Sequence, residues 1–371
     1  MGVPLRQQIA VGSYLIKQKL KGVKKYPLVL MLEPLFRCNL ACGGCGKIAH
    51  SEEILDQRLS FDECMQAVDE CGAPMVSIPG GEPLLHKEMP KIVEGIIARK
   101  KYVYLCTNAM LLKKRIGDYQ PSPYLTFSVH LDGLKERHDA SVCQEGVFER
   151  ATEAIKLALG KGFRVNVNCT LFQGETPEDV AEFLDYVTEL GVEGSTIAPG
   201  FSYEHAPQQD VFIKSKDTKH LFRGIFEIGK KLKRKWVLNH SALYLDFLAG
   251  NQNYECTPWG NPTRNVFGWQ KPCYLLADEG YVGTFKELLD ETPWEKYGNA
   301  TNPKCAQCMA HCGYEATAVE DTLAHPIKAF LTAIRGPRTT GEMVAEPVLE
   351  WTAKEQKDPK KLSDISVSVI K

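Results

Sequence analysis

Between residues 27 and 199 the chain switches six times between short apolar runs and longer stretches of helical periodicity. The runs are PLVLMLEP (27–34), MVSIP (75–79), YVYLCTN (102–108), YLTFSVHLDG (124–133), FRVNVNCTL (163–171) and GSTIAP (194–199). Between the first two, SFDECMQAVDECG (60–72) reads as a helix, with Ser60 as N-cap, Glu63 at the capping-box position and Gly72 as a stop. Thr176-Pro177 opens another, and further helices are expected near 87–100, 110–117 and 146–161. This α/β alternation implies right-handed βαβ units on a parallel sheet, either doubly wound and open or closed into a full or partial barrel. Both arrangements put ligands at the C-terminal ends of the strands.

Outside that stretch the pattern changes. The first 26 residues carry Arg6, Lys17, Lys19, Lys21, Lys24 and Lys25 and no acid, with Ile9, Tyr14, Leu15, Ile16 and Leu20 on a loose helical stripe. They predict either an N-terminal helix packed on the domain or a basic surface helix leaning on anionic lipid. A basic helix is expected near 217–235, then a region rich in Tyr, Trp, Pro and Cys (236–316), then an extended polar tail from about 335. The expected divisions are a basic segment (1–27), a core (28–215), a smaller cysteine-containing domain (216–330) and a polar tail (331–371). With 44% hydrophobic residues the chain can bury a large core. A net charge of −1 argues against a nucleic-acid partner bound through spread positive charge. No stretch approaches the roughly 18 apolar residues of a spanning helix, and the N-terminus lacks a signal-peptide core. A cytoplasmic location is therefore expected, with peripheral contact at the inner face of the membrane if the basic segment docks there.

In a reducing compartment, 13 cysteines read as metal ligands or reactive thiols rather than disulfides. Three follow the first apolar run as Cys38-Asn-Leu-Ala-Cys42-Gly-Gly-Cys45, where Gly43 and Gly44 allow a tight turn. Thiolates are the usual ligands of a 4Fe–4S cluster, and three of them leave one of four irons open to a non-protein ligand. A structural zinc site needs a fourth ligand, for which His50 stands nearest. Three unrelated buried thiols are the remaining reading.

The C-x3-C-x2-C spacing directly after the first strand resembles the signature of radical S-adenosylmethionine (SAM) enzymes. That resemblance implies a partial (β/α)6 TIM-like barrel with a smaller cysteine-containing C-terminal domain. It also implies that the open iron chelates SAM, whose one-electron cleavage releases a 5′-deoxyadenosyl radical. Gly80-Gly81-Glu82-Pro83, which alone would read as a turn, is similar to the family's GGEP motif; the resemblance implies that its backbone and carboxylate hold the SAM ammonium. Thr107-Asn108 stands where the family has a TN-G segment, with Ala109 in place of the glycine, and Gly44 stands where an aromatic often precedes the third cysteine. Ser128, His130 and Asp132 alternate onto one face of the fourth run, as do Asn166, Asn168 and Thr170 on the fifth. SAM contacts are expected from Asn108, Ser128, His130 and Asn168, although each polar residue taken singly also reads as a satisfied core hydrogen bond.

The segments YPLVLMLEPLFRCNLACGGCGKI, SIPGGEPLLH, LCTNAMLL and CAQCMAHCGYEAT resemble the hopanoid-biosynthesis branch of that superfamily, the adenosylhopane synthases. This implies a C–C bond-forming transferase that adds the radical to the terminal alkene of diploptene, an apolar triterpene. A reducing partner such as flavodoxin or ferredoxin is implied as well. Such an addition leaves a tertiary carbon radical, and Cys106 is expected to give it a hydrogen atom; the alternative is an inert buried thiol. Trp236, Tyr244, Tyr254, Trp259, Trp269 and Tyr274 either line the hydrocarbon pocket or form the core of a small domain. Cys305-Ala-Gln-Cys308-Met-Ala-His-Cys312, with Cys273 upstream and Cys256 as an alternate, is similar to extensions that hold an auxiliary Fe–S cluster. Zinc or unmetallated thiols are the other readings there. Two further functions remain open: a peptide-modifying radical SAM enzyme with an auxiliary cluster, and an Fe–S electron carrier, which needs neither an open iron nor GGEP.

Overall fold

The computed structural model describes residues 3–346. The expected strands all form: β1 (Val29–Glu33), β2 (Met75–Ile78), β3 (Tyr102–Thr107), β4 (Leu125–His130), β5 (Arg164–Leu171) and β6 (Gly194–Pro199). They pair in parallel, each with its sequence neighbour. Three strands were not anticipated: β7 (Thr263–Asn265), β8 (Gly268–Gln270) and β9 (Tyr281–Val282). β7 adds in parallel to the free side of β1, with Glu33 opposite Asn265, and β8 and β9 follow antiparallel. The order is β6-β5-β4-β3-β2-β1-β7-β8-β9, so β1 lies inside the sheet.

Helices α1 (Leu5–Leu20), α2 (Glu52–Leu55), α3 (Phe61–Cys71), α4 (Met89–Ala98), α5 (Leu112–Arg115), α6 (Lys135–Ser141), α7 (Val147–Gly160) and α8 (Pro177–Glu189) accompany the six parallel strands. In α3 the Ser60 hydroxyl accepts from the Glu63 amide while the Glu63 carboxylate accepts from the Ser60 amide, and Gly72 ends the helix at φ +69°. One face of each strand packs on these helices: Leu30, Leu32, Val76, Ile78, Val103 and Leu105 share a core with Val68, Ile92, Val93 and Ile96. Each such side chain contributes about 1.5–3 kcal/mol by leaving water. The alternate positions, among them Met31, Ser77, Tyr104, Cys106, Ser128 and Asn166, face the inside of the curved sheet.

α1 lies across the lower end of that lumen. The Gln7 amide donates to the Tyr104 hydroxyl (2.8 Å) and Arg6 donates to that of Tyr124 (2.6 Å). Beyond β6 come α9 (Ser215–Lys231), α10 (Ala242–Leu248), α11 (Phe285–Glu291), α12 (His311–Ala324) and α13 (Pro326–Arg335). α13 crosses the tail boundary expected at 331. Residues 336–346 are pinned rather than loose: Arg223 donates to the Gly341 carbonyl (2.6 Å), and the Val344 amide to that of Gly250 (2.9 Å). The rest of the expected tail, 347–371, lies outside the described residues. Tyr244 and Trp269 are core residues, Trp236 donates to Asp185 (2.7 Å), and Trp259 packs edge-on against Trp294. These aromatics pack in or against the same core as the barrel strands, and Tyr274 stacks beside Tyr203.

Candidate active site

From Glu33 the chain turns across the C-terminal strand ends into the loop of Cys38, Cys42 and Cys45. The turn after β2 runs directly against it: the Gly81 amide donates to the Leu35 carbonyl and the Glu82 amide to that of Arg37, both at 2.9 Å. A Cβ on Gly81 would stand 2.3 Å from the Phe36 and Arg37 carbonyl oxygens, so only glycine fits this approach. The loop is held elsewhere by Gly43, whose amide donates to the Ser141 carbonyl (3.1 Å) and whose carbonyl accepts from the Gln208 amide (3.0 Å). Lys47 anchors its far end through a buried ion pair with Glu33 (2.8 Å), under the rings of Tyr203 and Tyr274.

The three thiols suit a bound cation. Burial pushes Cys38 up to about 11. Burial first, then the neighbouring Cys45 and Cys38 thiols, push Cys42 up further. A metal centre inverts that preference by stabilising the thiolates. His50 stacks on Phe36 (4.8 Å) with its edge near Phe267, which gives it a packing role and leaves a zinc reading of this loop without its fourth ligand.

The polar residues expected to contact SAM divide into two groups. Glu82 is fully buried and turned into the protein: its carboxylate accepts from the Thr107 hydroxyl (2.8 Å) and the Leu84 (3.0 Å) and Asn108 (2.9 Å) amides. Burial nevertheless raises its pKa to about 7. It ties the ends of β2 and β3 together, and the Pro83 ring is likewise buried. Asn108 is also engaged, donating to the Asn39 side chain (2.9 Å) and to Cys38 Sγ (3.7 Å) while accepting from the Met110 amide (3.1 Å). It orients the cysteine loop. Ala109, in the place of the family's glycine, takes the left-handed φ of +61° that glycine favours.

The second group faces the lumen. Cys106 lies 3.4 Å from the Ser77 hydroxyl and is register-paired with Ser128, which pairs with Asn166 in turn. Burial pushes the Cys106 pKa up, keeping it a thiol. The buried Asn166 Oδ1 and Thr263 Oγ1 have no protein partner, which marks a lumen built to meet polar groups. His130 pairs with Asp132 at 2.8 Å; burial works to lower the His130 pKa, and the Asp132 charge overcomes it, leaving it raised. Asp132 also accepts from the Thr170 amide and the Ser141 hydroxyl, so it joins β4 and β5 to the helix under the cysteine loop. Asn168 sits opposite His130 on β5. His138, buried beside this pair, accepts from the Asp132 amide; sequence reading did not single it out, for want of any local motif.

In the second domain Cys256, Cys273, Cys308 and Cys312 line one pocket, with Cys305 near enough to raise the Cys256 pKa. A Cβ on Gly313 would meet Cys256 Sγ at 2.7 Å, so glycine lets α12 close on that thiol. Next to them His240, His311 and Glu315 bring their ligand atoms within 4.8 Å. His240 Nε2 accepts from the Ile197 amide (3.0 Å), so Nδ1, which faces Glu315, carries the proton and is closed to a metal.

Residues 32–187 match the radical SAM superfamily. That stretch, which includes the cysteine loop, is a radical SAM domain. Residues 195–332 match a domain of unknown function (DUF3463). Among similar proteins, a probable GTP 3′,8-cyclase of Methanococcus vannielii is 28% identical over 70% of this chain and 89% of its own length. A GTP 3′,8-cyclase of Campylobacter lari is 30% identical over 58% and 63%. The fold is shared with Streptococcus suis SuiB bound to S-adenosylmethionine (TM-score 0.61, 16% identity, 73% of this chain and 65% of that one). It is shared also with anSMEcpe with bound AdoMet (TM-score 0.55, 16% identity, 83% and 100%). The cofactors of this radical SAM enzyme are a 4Fe–4S cluster and SAM. The expectation of a hopanoid enzyme acting on diploptene is overturned by the relatives, which are named as cyclases of GTP. Among the described residues no helix is long and apolar enough to cross a membrane.

Proposed function

We propose that this radical SAM enzyme acts on a purine nucleotide held at the C-terminal mouth of the barrel, with Cys38, Cys42 and Cys45 as cluster ligands. The names of the relatives support the substrate class, and the polar lumen supports a substrate rich in hydrogen-bonding groups. The cluster and SAM supply one-electron cleavage of the sulfonium to a 5′-deoxyadenosyl radical. In this reading the backbone of Gly80 and Gly81, with Ser128, His130 and Asn168, holds SAM. Glu82 and Asn108 act one step removed, by fixing the turn and the cysteine loop. Arg37, Arg137 and Lys304 at the mouth are each paired with carboxylates, so recognition rests on base and ribose more than on phosphates.

The observation that carries the reading is Cys106, a protonated thiol in the lumen row beside Ser77. Its Sγ–H bond breaks as a C–H bond forms on the substrate-derived radical. The thiyl left behind takes one electron and one proton from the external reductant that radical SAM enzymes require. Cys273, Cys308 and Cys312, with Cys305 or Cys256, are the ligands we assign to an auxiliary Fe–S centre. Anaerobic incubation with SAM, reductant and GTP or guanosine tests the proposal. Nucleotide-dependent 5′-deoxyadenosine release and a new nucleotide product are expected, with the product lost in Cys106→Ser while SAM cleavage persists. Product yield unchanged in that variant removes Cys106; SAM cleavage indifferent to both GTP and guanosine removes the substrate class.

A further inference from the structure

Among the described residues, α1 and α13 are apolar on sides that nothing covers. On α1 the face carrying Val11, Tyr14 and Leu15 packs against Tyr26, Leu28, Ala316 and Val319. The opposite face presents Leu5, Ile9, Ile16 and Leu20, spaced i, i+4, i+11 and i+15 and 70, 60, 54 and 84% exposed. On α13, Ala329 is buried while Ile327, Phe330 and Ile334 are 75, 64 and 67% exposed on one stripe, with Leu331 beside them. Both helices adjoin α12: Tyr26, just after α1, donates to Glu320, and α13 follows directly at Pro326. Isolated exposed leucines are ordinary, but two helical stripes of this size against the same element are not.

The charge around the stripes decides what covers them. Residues 3–26 contain six cations and no acid, and residues 326–341 contain Lys328, Arg335 and Arg338 and no acid, in a chain whose net charge is −1. Lys17 and Lys19 flank the α1 stripe on its two sides. Lysines bordering an apolar stripe are the pattern of a helix lying in the boundary between headgroups and acyl chains. We propose that α1 and α13 form a docking surface for an anionic phospholipid bilayer, with the apolar stripes inserted and the bordering cations against the headgroups. α1 lies at the end of the barrel opposite the cysteine loop, and the proposal is independent of the substrate assignment.

The test is sedimentation of the full-length, cluster-loaded protein with vesicles of phosphatidylcholine alone or with one-third phosphatidylglycerol. Binding to the anionic vesicles and at least ten-fold weaker binding to the neutral ones is expected, with the difference shrinking as salt rises. Each of Lys17→Ser, Lys19→Ser, Lys21→Ser and Lys24→Ser should lower the anionic partition coefficient up to about five-fold. Ile16→Glu with Leu20→Glu, and separately Ile327→Glu with Phe330→Glu, should abolish binding without changing the melting temperature, because these side chains touch solvent in the folded chain. The proposal is overturned if wild type ignores anionic vesicles, or if the glutamate variants bind as wild type does. It is equally overturned if those variants instead turn a dimer into a monomer in sedimentation equilibrium, or if binding appears only after removal of residues 347–371; the stripes would then be covered by a second copy or by the chain's own end.

Discussion

Glu82 carries a titration that can be measured. Its folded pKa, raised to about 7 by burial against the three bonds it accepts, lies above the ordinary carboxylate value of 4.5. Between those values the folded chain holds a proton that the unfolded chain has released. Stability is therefore greatest at low pH in this window and falls as pH rises toward 7, by an amount on the order of 3 kcal/mol. Glu82→Gln should flatten this component: the melting temperature of the variant, minus that of wild type, is expected to climb steadily from pH 5 to pH 8. Parallel profiles would show that the ionised carboxylate is fully compensated in the fold. Cys38, Cys42, Cys45 and the GGEP turn were legible because their signal is local and dense. The hydrogen bonds that Glu82 and Asn108 make were not, because their partners, Thr107 across the strands and Cys38 seventy positions back, meet only after the sheet has formed.

At the scale of elements, the capping box of α3 was readable in full, since Ser60 and Glu63 lie three residues apart and no distant group competes. Ser60→Ala should cost about 1 kcal/mol and be visible as an unfolding midpoint shifted to lower denaturant with unchanged slope. An unmoved midpoint would mean that packing of Cys64, Met65 and Val68 already fixes the helix start. β7, β8 and β9 escaped notice for a different reason. Two or three residues cannot display a period of two, and these strands exist because Thr263 and Asn265 find β1 already in place. α13 was not anticipated: it crosses the boundary expected at 331, and it buries Ala329 while its larger apolar side chains stay exposed.

For the molecule as a whole, the alternation of strand and helix gave the barrel, and the cysteine spacing gave the cofactor chemistry. The substrate was illegible, because local motifs record how a radical is made and not what it attacks. The second domain allows a direct count. Replacing Cys38, Cys42 and Cys45 together with alanine should leave about four irons per chain in the auxiliary pocket after anaerobic reconstitution. Iron-free protein would assign those five thiols to packing or to another metal. The position of α1 has a last consequence. Gln7 on α1 is fastened to Tyr104, and Cys106 sits one pleat above that tyrosine. A substrate group reaching down the lumen past Cys106 therefore meets a hydroxyl that α1 already holds, which limits how deep along β3 it can bind.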